Sequence, residues 1–360
     1  MSSVPDMPPA VQPPAVPRAN PLGLNGFEFV EFTSPEPEAM ALQFEQLGFT
    51  ATHRHPTKNI TRYKQGRINL MLNRDEAGRV AAFRGMHGPS ASAMAFRVAD
   101  PESAKEWALR HGAKRASEND TVIQGIGGSY LYFVKDGEDL YRGWAEFPGW
   151  RDAEAANSVG LDVLDHLTHN VHRGQMRVWS EFYRTLFNFE EQKYFDIEGQ
   201  ATGLFSQAMI APDRAIRIPL NESKDDKSQI EEFIREYNGE GIQHLALTAT
   251  DIYATVEKLR RRGVLLQDTI ETYYELVDAR VPGHGENLER LKRNRILIDG
   301  SVETGEGLLL QIFTEPMFGP IFFEIIQRKG NEGFSNGNFQ ALFESIELDQ
   351  IRRGIISVDG

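Results

Sequence analysis

One unit, a strand followed by a helix and then further strands, recurs four times along the chain, and this recurrence limits the fold more than any other feature. The first copy runs Phe27–Phe32, a helix over Pro37–Leu47, then strands near Thr61–Tyr63 and Ile68–Leu72. The second has a strand over Ala93–Val98, a helix over Glu102–His111 and a strand over Ser129–Val134. The third opens with Leu164–His169 and a helix over Gln175–Leu186, and closes with strands near Gly203–Ala211 and Ala215–Leu220. The fourth runs His244–Leu247, a helix over Ile252–Arg262, then strands over Leu308–Thr314 and Ile321–Gln327. Between the last two copies, Ile230, Phe233, Ile234 and Tyr237 form one helical stripe, which adds a helix over Gln229–Tyr237. A repeat of this length points to duplication. One copy is too small to bury its own sheet face, so copies must pair. The expected fold class is α+β, a two-domain tandem of paired units split near residue 155.

The expected boundaries are a Pro-rich tail over 1–21, an N-terminal half over 22–155 and a C-terminal half over 156–360. A last helix, about Asn338 to Arg353, follows the Gly-rich stretch Gly333–Gly337 and has an apolar stripe suited to lying over a site. With no cysteine in the chain, a metal would have to be held by nitrogen and oxygen. The net charge of -13 argues against nucleic acid or an anionic membrane surface as partner. No apolar run approaches the roughly 20 residues that span a bilayer, and the N-terminus lacks the pattern of a secretory signal. A cytoplasmic, homo-oligomeric protein (dimer or tetramer) is expected.

Three strand segments carry candidate ligands: Asp165–Asn170, Gly241–His244 and Phe322–Ile326. Side chains alternate along a strand. His166, Thr168 and Asn170 should therefore share one face, with Asp165, Leu167 and His169 on the other. Ile242, His244 and Ala246 should share a face, as should Phe322, Glu324 and Ile326, with Leu309, Gln311 and Phe313 on the adjacent strand. A carboxylate among Phe322, Phe323, Ile325 and Ile326 needs a partner, because an unpaired buried charge costs several kcal/mol. Either a metal or an arginine or lysine would supply one. Aligned by pattern, His166 falls opposite Phe27, His244 opposite Ala93 and Glu324 opposite Tyr132, so only the C-terminal half carries ligands at these positions. Two imidazoles and a carboxylate suit a non-haem Fe(II) centre with open positions. His53, His55, His87, His111 and His284 read as solvated, and Gly125–Gly128 as a turn.

The segments Asp165–Val171, Pro219–Glu222, Gly239–His244, Leu309–Phe313, Phe322–Glu324 and Gly333–Phe339, continuing to Ile346, resemble the 4-hydroxyphenylpyruvate dioxygenase family. The likeness runs from about Pro21 to Gly354 and is densest in the C-terminal half. It implies the vicinal oxygen chelate fold, in which paired βαβββ units form open barrels. It further implies one Fe(II) per chain bound by His166, His244 and Glu324. By the same resemblance, Ser206, Asn221, Gln229, Gln243 and Gln311 line the polar side of the pocket, with Gln229, Gln311 and Asn221 assisting catalysis. Phe313, Phe322, Phe339 and Phe343 would clamp an aromatic ring under the last helix, a lid not needed to hold the iron. The implied reaction takes 4-hydroxyphenylpyruvate and O2 to homogentisate and CO2, in tyrosine and phenylalanine catabolism. The alternatives on this fold are a 4-hydroxymandelate synthase, a non-catalytic aromatic-binding protein and an extradiol ring-cleaving dioxygenase. Phe339, Asn221 and Pro219 favour attack on the ring.

Overall fold

Alternation along the first strand shows how each half is layered. Phe32 packs beneath a helix, edge-on to Phe44 at 5.5 Å, while Phe29 points to the opposite face and meets Tyr132 at 5.8 Å. The computed structural model describes residues 19–334 except 119, 200–201 and 270, and beyond them 337, 338, 340, 350, 351, 353 and 354. The N-terminal half holds strands β1 (Phe27–Thr33), β2 (Thr50–Arg54), β3 (Ile60–Gln65), β4 (Ile68–Asn73), β5 (Ser90–Val98), β6 (Val122–Gln124), β7 (Tyr130–Lys135) and β8 (Ala145–Glu146). The C-terminal half holds β9 (Leu161–Val171), β10 (Glu190–Glu198), β11 (Gly203–Ile210), β12 (Arg217–Ser223), β13 (Gly241–Ala249), β14 (Leu297–Ser301), β15 (Gly307–Phe313) and β16 (Phe322–Lys329). The main helices are α1 (Pro37–Gln46), α2 (Gly78–His87), α3 (Pro101–Arg110), α4 (Trp150–Asn157), α5 (Met176–Phe187), α6 (Gln229–Tyr237) and α7 (Ile252–Arg261).

Each half forms one eight-stranded sheet, ordered β6-β7-β5-β1-β4-β3-β2-β8 and β10-β11-β12-β9-β13-β16-β15-β14. The two orders are the same motif read in opposite directions. At each centre an antiparallel pair (β1 with β5, β9 with β13) is flanked on both sides by parallel neighbours. The fourfold repeat is thus realised as two paired units per sheet. Strands β2, β6, β8, β10 and β14 and helices α2 and α4 were not anticipated from the sequence. Strand β10 is an edge strand that exposes Glu190, Glu191, Asp196 and Glu198, so charge protects its free edge and masks its apolar alternation. The expected last helix lies for the most part outside the described residues, as do Phe339 and Phe343.

The two inner faces differ. In the N-terminal half the segment after β7 folds back as a plug: Arg62 lies 3.7 Å over the Tyr141 ring, Tyr141 donates to Glu28, and Trp144 stands edge-on to Tyr141 at 5.5 Å. In the C-terminal half the corresponding space is a cavity. Contrary to the expectation of solvated histidines, His53 and His87 are buried. His53 sits beside Arg62 in the plugged half, and His87 stacks on Tyr237 at 4.6 Å where the halves meet.

Candidate metal centre and its cavity

Three adjacent strands at the middle of the C-terminal sheet supply the site. Ala246 on β13 stands between His166 on β9 and Glu324 on β16. The two rings and the carboxylate therefore converge across the inner face. His166 Nε2 lies 3.0 Å from Glu324 Oε2 and His244 Nε2 lies 3.4 Å from it. Among the described residues these three offer ligand atoms all within 4.8 Å of one another. All three are buried, at 2%, 5% and 2% exposure, so the cluster is not an accidental surface gathering.

Two β-bulges orient the imidazoles. The register shifts between Leu164 and His166, leaving Asp165 as an extra residue, and again between Ile242 and His244, leaving Gln243 as one. A bulge locally breaks the alternation and re-aims a side chain. Asp165 therefore turns to His166, and its Oδ1 lies 2.9 Å from Nδ1. Gln243 likewise turns to His244, with Oε1 at 2.9 Å from Nδ1. This corrects the expected faces: Asp165 does not side with Leu167 and His169, and Ile242 packs in the main core rather than beside His244. With each Nδ1 held, each Nε2 is left facing Glu324, an arrangement that fixes ring orientation and tautomer at metal sites.

The same bulges occur in the N-terminal half, at Glu28 and Ser92. Strand pairing then equates His166 with Phe29, rather than with the expected Phe27, while His244 matches Ala93 and Glu324 matches Tyr132. The bulges belong to the fold, and the ligand side chains belong to one half only.

Charge follows the geometry. Burial alone would raise the Glu324 carboxyl, but His166 and His244 beside it outweigh this and bring it down to about 2. It is therefore an anion at neutral pH. Its Oε1 accepts from Gln311 Nε2, which leaves Oε2 for the histidines. Burial would lower His166, yet Glu324 and Asp165 raise it overall. Asp165 lies well below the usual carboxylate range: burial raises it, and Arg328, hydrogen-bonded at 2.8 Å to each carboxyl oxygen, more than compensates. The donor set, two imidazole nitrogens and one carboxylate oxygen with ring tautomers fixed, fits a divalent first-row metal.

A cavity that encloses about 460 Å³ of empty space, part of it continuous with solvent, opens on the triad. Its walls include the expected Ser206, Asn221, Gln311 and Phe313, and also Thr168, Phe195, Ala208, Pro219 and Phe334. Thr168 Oγ1 lies 2.9 Å from His244 Nε2. Phe322 is one step removed, stacked on the His244 ring at 4.8 Å. Gln229, buried at the start of α6, and Gln243, turned to His244, are not among the lining residues. Sequence reasoning missed Phe195 because its strand was missed. It missed Phe334 because nothing in a glycine-rich stretch marks an inward-facing ring; here that ring stands edge-on to His166 at 5.1 Å.

His169, on the opposite face, is fully buried against α5 with Nε2 2.7 Å from the Tyr183 hydroxyl. Burial lowers it to about 3. Its unfolded value is about 6.5, so between those limits the unfolded chain binds a proton that the folded chain does not. Stability contributed by the neutral ring is complete above about pH 6.5 and is lost as pH falls towards 3, at about 1.4 kcal/mol per unit. Denaturation of His169→Gln at about pH 7.5 and about pH 5 should show the pH difference narrowed by about 2 kcal/mol relative to the parent. An unchanged difference would refute the neutral buried ring.

The family profile described as "Hydroxyphenylpyruvate dioxygenase, HPPD, N-terminal" matches residues 18–143, and that of the "Glyoxalase/Bleomycin resistance protein/Dioxygenase superfamily" matches residues 163–276. A 4-hydroxyphenylpyruvate dioxygenase from Pseudomonas aeruginosa is 56% identical over 349 residues, covering 94% of this chain and 97% of the relative. The chain belongs to the 4-hydroxyphenylpyruvate dioxygenase family. A 4-hydroxyphenylpyruvate dioxygenase of Legionella pneumophila is 49% identical over 343 residues, covering 94% of this chain and 98% of the relative. Among solved structures, a mutant of 4-hydroxymandelate synthase from Streptomyces coelicolor superposes with a TM-score of 0.78 at 26% identity, covering 91% of this chain and 99% of that one. The 4-hydroxyphenylpyruvate dioxygenase family assignment fits the two barrel-like sheets, since the gap between the profile matches holds α4, the link between halves. The fold is of the vicinal oxygen chelate type. Among the described residues no helix is long and apolar enough to cross a membrane.

Proposed function

We propose that the protein is an Fe(II)-dependent dioxygenase that converts 4-hydroxyphenylpyruvate and O2 into homogentisate and CO2. The observation that carries this reading is the convergence of His166 Nε2, His244 Nε2 and Glu324 Oε2 on one wall of a buried aromatic cavity. Those three residues would hold the iron, one ion per chain. Bound there, Fe(II) supplies the redox chemistry through which dioxygen can react with an organic molecule.

The chain's own residues do the rest. Asp165 and Gln243 keep the two imidazoles presenting Nε2, and Gln311 fixes which carboxylate oxygen of Glu324 faces the centre. The substrate brings its own α-keto acid, so no separate keto acid is consumed. One oxygen atom ends in the new ring hydroxyl and the other in the new carboxylate, while the old carboxylate leaves as CO2. Phe195, Phe313 and Phe334 present apolar surface to the substrate ring and resist oxidation. Ser206 and Asn221 offer neutral hydrogen bonds to a phenol without adding charge near the metal. Among the described residues Asn221 Oδ1 is buried and without a hydrogen-bond partner, as suits an acceptor reserved for a ligand. Phe339 and Phe343 remain in this reading as further substrate contacts, while Gln229 is set apart from the residues that line the cavity. Holding the reacting parts together in a dry cavity is the protein's main contribution to rate.

The reading also makes the protein a cytoplasmic homo-oligomer, and the net charge of -13 argues against a nucleic acid partner. Chromatographic analysis of the product formed from 4-hydroxyphenylpyruvate tests the reaction. Homogentisate is expected. Hydroxymandelate would move the attack from the ring to the benzylic carbon, and binding of the acid without oxygen consumption would make the protein a non-catalytic member of the fold.

A further inference from the structure

The segment after β16 does more than run past the cavity. Arg328, at the end of β16, places its guanidinium between that segment and the metal site. Nε and Nη2 bond both oxygens of Asp165 at 2.8 Å, while Nη1 donates to the Asn331 carbonyl at 3.1 Å and the Gly333 carbonyl at 2.7 Å. Asp165 in turn holds His166 Nδ1. Arg217 repeats the bridge from another strand, with Nη1 3.7 Å from Asp165 Oδ2 and Nη2 2.7 Å from Glu332 Oε2. Phe334, which follows Gly333, stands against His166 and lines the cavity. A second route reaches another ligand: Asn338 Nδ2 donates to Gln311 Oε1 at 2.7 Å, and Gln311 Nε2 donates to Glu324.

These contacts are built rather than incidental. Arg328 and Asp165 are largely buried, and a guanidinium fork matches a carboxylate in fixed geometry. One cation thus satisfies the anion that orients a ligand and the carbonyls of the segment that closes the cavity. Loosening the segment must release two of its hydrogen bonds, and disturbing Asp165 frees the guanidinium that makes them.

We infer that Arg328 is a positioning residue that makes closure of residues 331–334 over the cavity and metal binding at His166 a single event, through the Arg328–Asp165–His166 relay. The segment is then part of the metal site, in contrast to the lid, dispensable for iron, that the sequence suggests. The inference rests on the His166–His244–Glu324 reading of the metal site. Coupling of this kind is reciprocal: if the segment strengthens metal binding, metal binding must protect the segment.

The test needs no turnover. Fe(II) is titrated anaerobically into the whole protein, and amide hydrogen exchange is followed with and without it. Exchange at residues 331–334 should slow on Fe(II) loading while that of β5 in the other half stays unchanged. Arg328→Gln should bind Fe(II) ~10–100-fold more weakly, the size usual for residues that orient a ligand, and should lose the metal-dependent protection. If Arg328→Gln does not fold, Arg328→Lys keeps the charge but not the fork, and should move both readouts in the same direction by less. Parent protein that binds Fe(II) with residues 331–334 unaffected, or a variant that keeps parental affinity, would overturn the inference alone. Parent protein that does not bind Fe(II) at all would overturn the metal reading, and this inference with it.

Discussion

Glu324→Ala should reduce oxygen consumption with 4-hydroxyphenylpyruvate to the background rate. The carboxylate is the only anion among the three converging groups, and at about 2 it remains ionised throughout the working range. Its loss leaves two imidazoles that approach each other with no negative charge between them, and His166 loses the main cause of its raised proton affinity. A metal centre contributes several kcal/mol of transition-state stabilisation, so a fall of at least about 10³-fold is expected. Anaerobic Fe(II) titration should show the cause, with the variant failing to take up the ion. Turnover retained within about tenfold would remove Glu324 from the metal site.

Asp165→Ala should be the most damaging change that touches neither substrate nor metal. The carboxylate neutralises Arg328, receives a longer contact from Arg217 and holds His166; Asp165, Arg217 and His166 are buried and Arg328 is largely so. Removing one partner of a buried pair strands the other, which typically costs about 3–5 kcal/mol. Two arginines, one buried and one largely so, would then face each other across the gap, so a value at the upper end is expected. Denaturant unfolding measures it, and a loss below about 1 kcal/mol would show that solvent or Glu332 replaces the carboxylate. Asp165→Asn, which keeps an acceptor for His166 Nδ1, should retain more metal affinity than Asp165→Ala while losing comparable stability.

Much of the site was legible because period-two alternation survives wherever a strand is regular. On β16, Glu324 does share a face with Phe322, and Phe313 stands opposite it on β15 as the alternation implied. The separation of His166 from His169 also held, since His169 faces α5. What alternation cannot carry is an inserted residue. Asp165 and Gln243 each break the count by one, and Asp165 was placed on the wrong face for that reason. Alignment by strand pattern also matched His166 to Phe27, two residues away from Phe29, its counterpart by strand pairing. The edge strand β10 was hidden by the charges that protect it, and Phe195 with it. The Arg328 relay joins positions 163 residues apart along the chain, and no local pattern announces such a contact.

The central claim is that one Fe(II), held by His166, His244 and Glu324, lets the cavity oxidise a keto acid at its aromatic ring. It is tested most directly by loading the protein anaerobically with Fe(II), adding 4-hydroxyphenylpyruvate, admitting oxygen, and measuring oxygen uptake, CO2 and product together. The account predicts one CO2 and one homogentisate for each O2 consumed, with uptake that requires Fe(II) and ceases on its removal by a chelator. Oxygen uptake that survives iron removal, or iron-loaded protein that binds the acid and consumes no oxygen, would contradict it.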